Sequence, residues 1–130
     1  MILKIKPDKQ KAKSLKIMAE ITLERLEKTD RKKYPTNTLT DYYDIIHKLM
    51  EAFCMIDGVK MSKEGAHQEI IDYTAKQCNL DEQTRQFLQK MRSYRNRISY
   101  EGFMIHKNYI TLNQKNIKEI IGKLFDELKI

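Results

Sequence analysis

Three arginines fall close together in the later part of the chain, Arg92, Arg95 and Arg97, with Asn96 among them and Tyr94 and Tyr100 alongside. If this segment is helical, Arg92, Arg95, Asn96 and Ser99, with Arg85 further back, project from one side. Phe87, Met91, Tyr94 and Ile98 then form a packing edge on the other. A guanidinium is planar, permanently charged and able to bond two phosphate oxygens at once, and a phenol ring offers a face on which a base can stack. Arg92, Arg95, Asn96, Arg97 and Tyr100 are therefore the candidate binding residues, with RNA or a nucleotide as the ligand class. The same residues also suit a plain solvated helix face, with Arg95 near Glu101 in a weak ion pair.

Other groups able to do chemistry are scattered. His47 lies beside apolar positions of an earlier helix, and His67 lies near the start of the next, so each reads as a packing or capping residue. His106 reads as a turn residue. Asp41 and Asp44 share a helix face as paired carboxylates would, although a place in the first turn makes compensation of the helix dipole the simpler account. Cys54 and Cys78 lack metal-ligand spacing and sit within apolar patterns, which suits reduced core thiols of a cytoplasmic protein. His47, Cys54, His67 and Cys78 make no recognisable zinc pattern, so neither a metal nor another cofactor is expected. The sequence contains no Gly-rich phosphate loop, no nucleophile elbow and no Ser-His-Asp order.

The elements that must position these residues follow from composition and periodicity. The chain has 130 residues, enough for one domain over 1–130, and only four glycines and two prolines interrupt it. Charged residues make up 33% and hydrophobic ones 41%, a balance that suits a compact, well-solvated globule and long helices. The net charge of +7 favours an acidic partner without identifying it. The opening residues are too short and too charged for a signal peptide, and no apolar run approaches the ~20 residues needed to cross a bilayer. A cytoplasmic location without membrane contact is expected.

Ala12, Leu15, Ala19, Leu23 and Leu26 mark a first helix ending before Pro35. A second runs from Thr38 or Thr40 to a stop at Gly58, and its broad apolar arc, from Tyr42 and Tyr43 to Ile56, marks it as central. A third starts near Ser62 and stops at Asn79. A fourth starts at Asp81, whose carboxylate suits the positive end of a helix. Phe103-Met104-Ile105 and Tyr109-Ile110-Thr111-Leu112 flank the polar His106-Lys107-Asn108, which suggests a short β-hairpin, after which Asn113 caps a last helix carrying Ile117, Ile120, Ile121, Leu124 and Leu128. The expected fold is all-α, a bundle of four or five helices, with a hairpin before the last.

In this setting the run Arg95-Asn96-Arg97-Ile98-Ser99-Tyr100-Glu101-Gly102, at the end of a late helix, resembles the signature of the HEPN superfamily. In that signature an Arg, often followed by Asn, precedes a His by four to six residues. Asp41-Tyr42-Tyr43 at the core helix and Gly65-Ala66-His67-Gln68-Glu69-Ile70-Ile71 at the head of the next are also similar to it. The resemblance implies a helical homodimer in which two such motifs face each other across a cleft. Many active members are metal-independent RNases, often paired with a small nucleotidyltransferase in toxin-antitoxin modules, while others only bind nucleotides or RNA.

Carried over by position, Arg95 is the motif Arg, Asn96 its polar neighbour, and Tyr100 stands where the His belongs. A phenol, titrating near pH ~10, moves protons poorly at neutrality compared with an imidazole. His106 lies outside the allowed spacing and would have to be recruited by a fold-back of the chain after Gly102. The resemblance thus implies an RNA- or nucleotide-binding homodimer with a basic cleft and inefficient cleavage. The alternatives are a metal-independent endoribonuclease toxin, with Arg95 and either Tyr100 or His106 as catalytic residues, and a protein-interaction partner of a minimal nucleotidyltransferase. Because residues five apart on a straight helix differ by roughly 140°, Arg95 and Tyr100 of one chain converge only if the helix ends near Ser99 or a second chain contributes.

Overall fold

The computed structural model describes residues 2–62 and 65–130 and contains five helices and a two-stranded sheet. In chain order these are β1 (Ile2–Lys4), α1 (Lys9–Glu27), α2 (Pro35–Asp57), β2 (Val59–Met61), α3 (Ala66–Gln77), α4 (Glu82–Glu101) and α5 (Lys107–Glu127). The all-α class expected from the sequence is the class observed.

α2 is the central element and packs against all four other helices. Tyr42, Ile45, Ile46, Leu49, Met50 and Ala52 are fully buried on it, because its apolar residues cover too wide an arc to be satisfied by one neighbour. It begins earlier than its threonines suggest. Pro35 occupies the first turn, where a missing N–H costs nothing and a fixed φ is already helical. It ends at Gly58, whose φ of +70° is left-handed. A Cβ there would lie 2.7 Å from the carbonyl oxygen of Ile5, so glycine is required twice over.

That close approach docks the amino-terminal segment. The Ile5 amide donates to the Gly58 carbonyl at 2.8 Å, and β1 pairs antiparallel with β2 in the register Ile2 with Met61, Leu3 with Lys60 and Lys4 with Val59. The sheet therefore joins the start of the chain to the end of α2. No local periodicity announces such a pairing.

The hairpin expected at 103–112 is absent. Residues 103–106 form a link outside any helix or strand, and α5 starts at Lys107, with His106 as its N-cap in place of Asn113. The run Tyr109, Ile110, Thr111 and Leu112 was ambiguous because a short apolar stretch fits a strand or a turn of helix equally well. Its burial is helical: Ile110 is buried, Tyr109 half-buried, and Thr111 and Leu112 exposed. The link is anchored by Ile105, whose amide donates to Thr36 Oγ1 at 2.9 Å.

α4 is capped at both ends. Asp81 Oδ1 accepts from the Thr84 amide at 2.7 Å, and Gly102 closes the helix in the left-handed region, its N–H bonding to the Arg97 carbonyl. Leu88 and Met91 enter the main core. Tyr94 and Ile98 join a second cluster around Leu39, Ile105 and Ile110, in which Tyr94 stacks with Phe103 and meets Tyr109 edge-on. Anchored along that edge, α4 turns another side towards α2 and α3.

Candidate phosphate site at the junction of three helices

On that side the helical spacing places Arg85, Arg92, Arg95, Asn96 and Ser99 together. The sequence left this side as either a phosphate-binding surface or a solvated helix face. The structure lays α3 and part of α2 near it, and Arg92, Arg95 and Asn96 are half-buried. Arg85 is committed to structure: it bonds Asp72 of α3 at 2.8 Å and Glu82 at 2.6 Å, locking the start of α4 to α3. Glu82 is held down to about 2 by this bonding. Arg92 donates to the neutral Gln89 side chain at 3.0 Å. Among the described residues neither Arg92 nor Arg95 has a carboxylate within ion-pair distance.

These two guanidinium groups share their surroundings with groups from both neighbouring helices. Tyr43 of α2 is only 2% exposed, and its hydroxyl has no hydrogen-bond partner among the described residues. Burial pushes its pKa up to about 12, against the opposing pull of Arg92 and Arg95. One turn on, His47 stacks loosely with Tyr43 at 6.1 Å and closely with His67 of α3, with ring centroids 4.5 Å apart and planes 22° from parallel. His47 Nδ1 lies 2.9 Å from Glu51 Oε1, the i,i+4 neighbour on α2. That bond is the main reason the Glu51 carboxyl is held below its ordinary range.

His67 is in the first turn of α3, whose N-terminal end carries partial positive charge. Gly65, the N-cap of α3, has no side chain to close the helix, and the His67 ring stacks on His47. Loss of hydration where the ring packs lowers its pKa, and positive charge on His47, Arg95 and Arg92 lowers it further, with Glu51 opposing. Beside the imidazole pair lies a cleft of 450 Å³, lined also by Glu51, Lys11, Lys60 and apolar side chains such as Met55 and Ile70.

The sequence-predicted residues divide into two groups. Arg92, Arg95 and Asn96 share one side of α4. Arg97 points elsewhere: its guanidinium covers the Phe103 ring at 4.0 Å and its Nε lies 3.6 Å from Glu101. Tyr100 is 84% exposed, and because α4 runs straight through it to Glu101, it does not converge with Arg95 inside one chain. Tyr94, offered as a base-stacking ring, is held in the second core cluster. His106 accepts the Asn108 amide at its Nδ1, 3.1 Å away, which makes it the cap of α5. Asp41 and Asp44 are each tied to a cation, Arg25 at 3.0 Å and Lys48 at 3.1 Å, and do not form a carboxylate pair.

Sequence reasoning treated His47 and His67 as separate packing or capping residues, and the structure stacks them. The one signal that could have joined them was their placement on the inner side of adjacent helices. Cys54 and Cys78 are buried free thiols, with burial pushing Cys54 up to about 12 and Cys78 to about 11. No group of three or more His, Cys, Asp or Glu side chains is arranged to hold a metal ion among the described residues. Nor is any helix there long and apolar enough to cross a membrane.

Comparison with known proteins returned no matching family model, no matching curated protein and no matching solved structure. The functional reading therefore rests on these side chains and on the motif resemblance.

Proposed function

We propose that this chain is a HEPN-like domain that binds RNA or a nucleotide through phosphate, at the site made by Arg92, Arg95 and Asn96 of α4 against Tyr43 and His67. The observation that carries this reading is the pair of half-buried guanidinium groups without a carboxylate partner among the described residues. Partly desolvated cations of one sign repel each other, and a bound phosphate relieves that repulsion while filling their donor sites. The hydroxyl of Tyr43 is buried and has no hydrogen-bond partner among the described residues.

The homodimer belongs to the same reading. Tyr100, Met104 and Leu112 are 84%, 77% and 80% exposed around the α4–α5 junction, a place where a second copy would cover them. Such a copy would also be the means of bringing Tyr100 towards the ligand. Titration of the purified chain with labelled single-stranded RNA and with nucleotides, at several salt concentrations, tests the reading. Binding should weaken with salt, and each phosphate contact removed should lower the slope of log K against log salt by about 0.7. Binding without salt dependence, or unchanged in Arg95→Ala, would discard it.

A further inference from the structure

We propose that the 450 Å³ cleft between α2, α3 and the amino-terminal segment is a second ligand site, which takes a small monocarboxylate with an aliphatic body, such as a medium-chain acyl carboxylate. The inference goes beyond the phosphate-binding reading and does not rest on it, because no arginine lines the cleft among the described residues.

The cleft is made by the docking of the chain's start. Pairing of β1 with β2, and the bond from the Ile5 amide to the Gly58 carbonyl, hold Ile5 and Lys6 at one side of it. α2 contributes His47, Glu51, Cys54 and Met55, whose spacing puts them on one face of the helix. The volume falls within the about 300–1,000 Å³ span of small-ligand clefts.

Its floor selects the body of the ligand. Cys54, Met61 and Ile70 are buried and Met55 is half-buried, yet all four border the cleft. The lining holds no Phe, Tyr or Trp, and unbranched methionine side chains adapt to a flexible chain.

Charge selects the head group. Lys6, Lys11 and Lys60 border the cleft together with two carboxylates, Asp8 and Glu51. Both carboxylates already have structural duties: Asp8 caps α1 by accepting the Lys11 amide at 2.9 Å, and Glu51 lies 2.9 Å from His47 Nδ1. None of the three lysines is ion-paired among the described residues. Leaving the imidazoles aside, three ammonium groups against two carboxylates leave a single positive charge in excess. Ala66 and His67, in the first turn of α3, bring the positive end of that helix to the same lining. One carboxylate neutralises this excess, whereas a nucleotide carrying two or more charges would exceed it. Ammonium groups are point charges on flexible stems, so they hold such a head group without the planar fork of an arginine.

The test titrates the full chain by calorimetry, at low salt and pH 7.5, with three probes of equal chain length: octanoate, octanol and octylammonium. Octanoate should bind once per chain and about five-fold or more tightly than octanol, through its contacts with the lysines. Octylammonium should bind more weakly than either. Each methylene taken off the carboxylate should weaken binding about four-fold, as burial of an aliphatic chain requires. Added salt should weaken octanoate and leave octanol unchanged. Lys11→Gln combined with Lys60→Gln should bring octanoate down to the level of octanol, and Ala66→Leu, which fills the cleft, should weaken both. Amide shifts on adding octanoate should centre on Lys11, Lys60 and Ile70.

Octanol binding as tightly as octanoate, no dependence on chain length, or no saturable binding at all overturns the proposal. So do shifts centred on Arg92 and Arg95, or displacement of octanoate by an equal concentration of inorganic phosphate. With no RNA in these titrations, failure on chain length or saturation leaves the phosphate-binding reading standing, and RNA titration of Arg95→Ala judges that reading separately. The probe series decides the proposal even if a variant fails to fold.

Discussion

The two sides of α4 carry the same residue type to different ends. Arg97 on one side is spent within its own neighbourhood, its guanidinium over Phe103 and its Nε near Glu101. Arg92 and Arg95 on the other are set among a phenol and an imidazole with no carboxylate near them among the described residues. An arginine is thus a structural tie or a ligand-binding group according to what the adjacent helix offers it. At the start of α4, Arg85 makes the same point, since Asp72 of α3 and Glu82 take up its charge.

The largest test of this contrast acts on the stripe that holds the two sides apart. Leu88 and Met91 are fully buried, so Leu88→Ala should lower unfolding stability by about 2–5 kcal/mol in urea titration, through lost burial and the cavity left behind. Affinity of the folded fraction should fall only slightly. If affinity collapsed while the fold survived, the arginine site would depend on the rotational setting of α4 more than on its own side chains.

Next come the arginines themselves. Arg95→Ala should weaken RNA or nucleotide binding by roughly 10- to 100-fold at low salt, as loss of a charge-assisted bond to phosphate does. Arg97→Ala should change it by less than about three-fold. Fluorescence anisotropy on the two variants decides the matter, and equal losses would erase the distinction between the sides. Conversely, Arg97→Ala should lower stability by about 0.5–1 kcal/mol, as expected for a cation held over an aromatic ring, and Phe103→Leu should mimic it. An additional effect of Tyr100→Ala on affinity would place the second copy at the ligand.

The smallest effect is the pH dependence of stability, to which His67 and Glu51 contribute in separate windows. The folded pKa of His67 is lowered, so the unfolded chain binds more protons, and stability falls as pH drops through the ordinary imidazole value near ~6.5, until the folded group also titrates. The folded pKa of Glu51 is lowered too, so its contribution is present above the ordinary carboxyl range and is lost as pH falls towards its folded value. Urea midpoints between pH 7.5 and 4 should decline in both windows. His67→Gln should flatten the upper one only.

Much of this fold was legible in the chain because its signals are local. The broad apolar arc of α2, the Asp81 cap and the glycine stop at Gly58 act within a turn or two of helix, and the structure places them accordingly. The misreadings share the opposite property. Four apolar residues after His106 fit either period, and the link before them is settled by Ile105 bonding to Thr36 on another helix. The pairing of β1 with β2 depends on the glycine-only approach of Ile5 to Gly58. The site divides in the same way: three arginines, Asn96 and Tyr100 could be marked from spacing, but which of them act together could not.

The sequence alone determined five amphipathic segments and the set of guanidinium groups on α4, because backbone hydrogen bonding and side-chain periodicity are decided between near neighbours. Only the tertiary structure decided that His47 and His67 stack, that Glu51 holds one of them, and that Arg97 is spent over Phe103 while Arg92 and Arg95 have no carboxylate within ion-pair distance among the described residues. Those relations join side chains on three different helices, and nothing but the way α2, α3 and α4 bury their apolar faces against one another sets them.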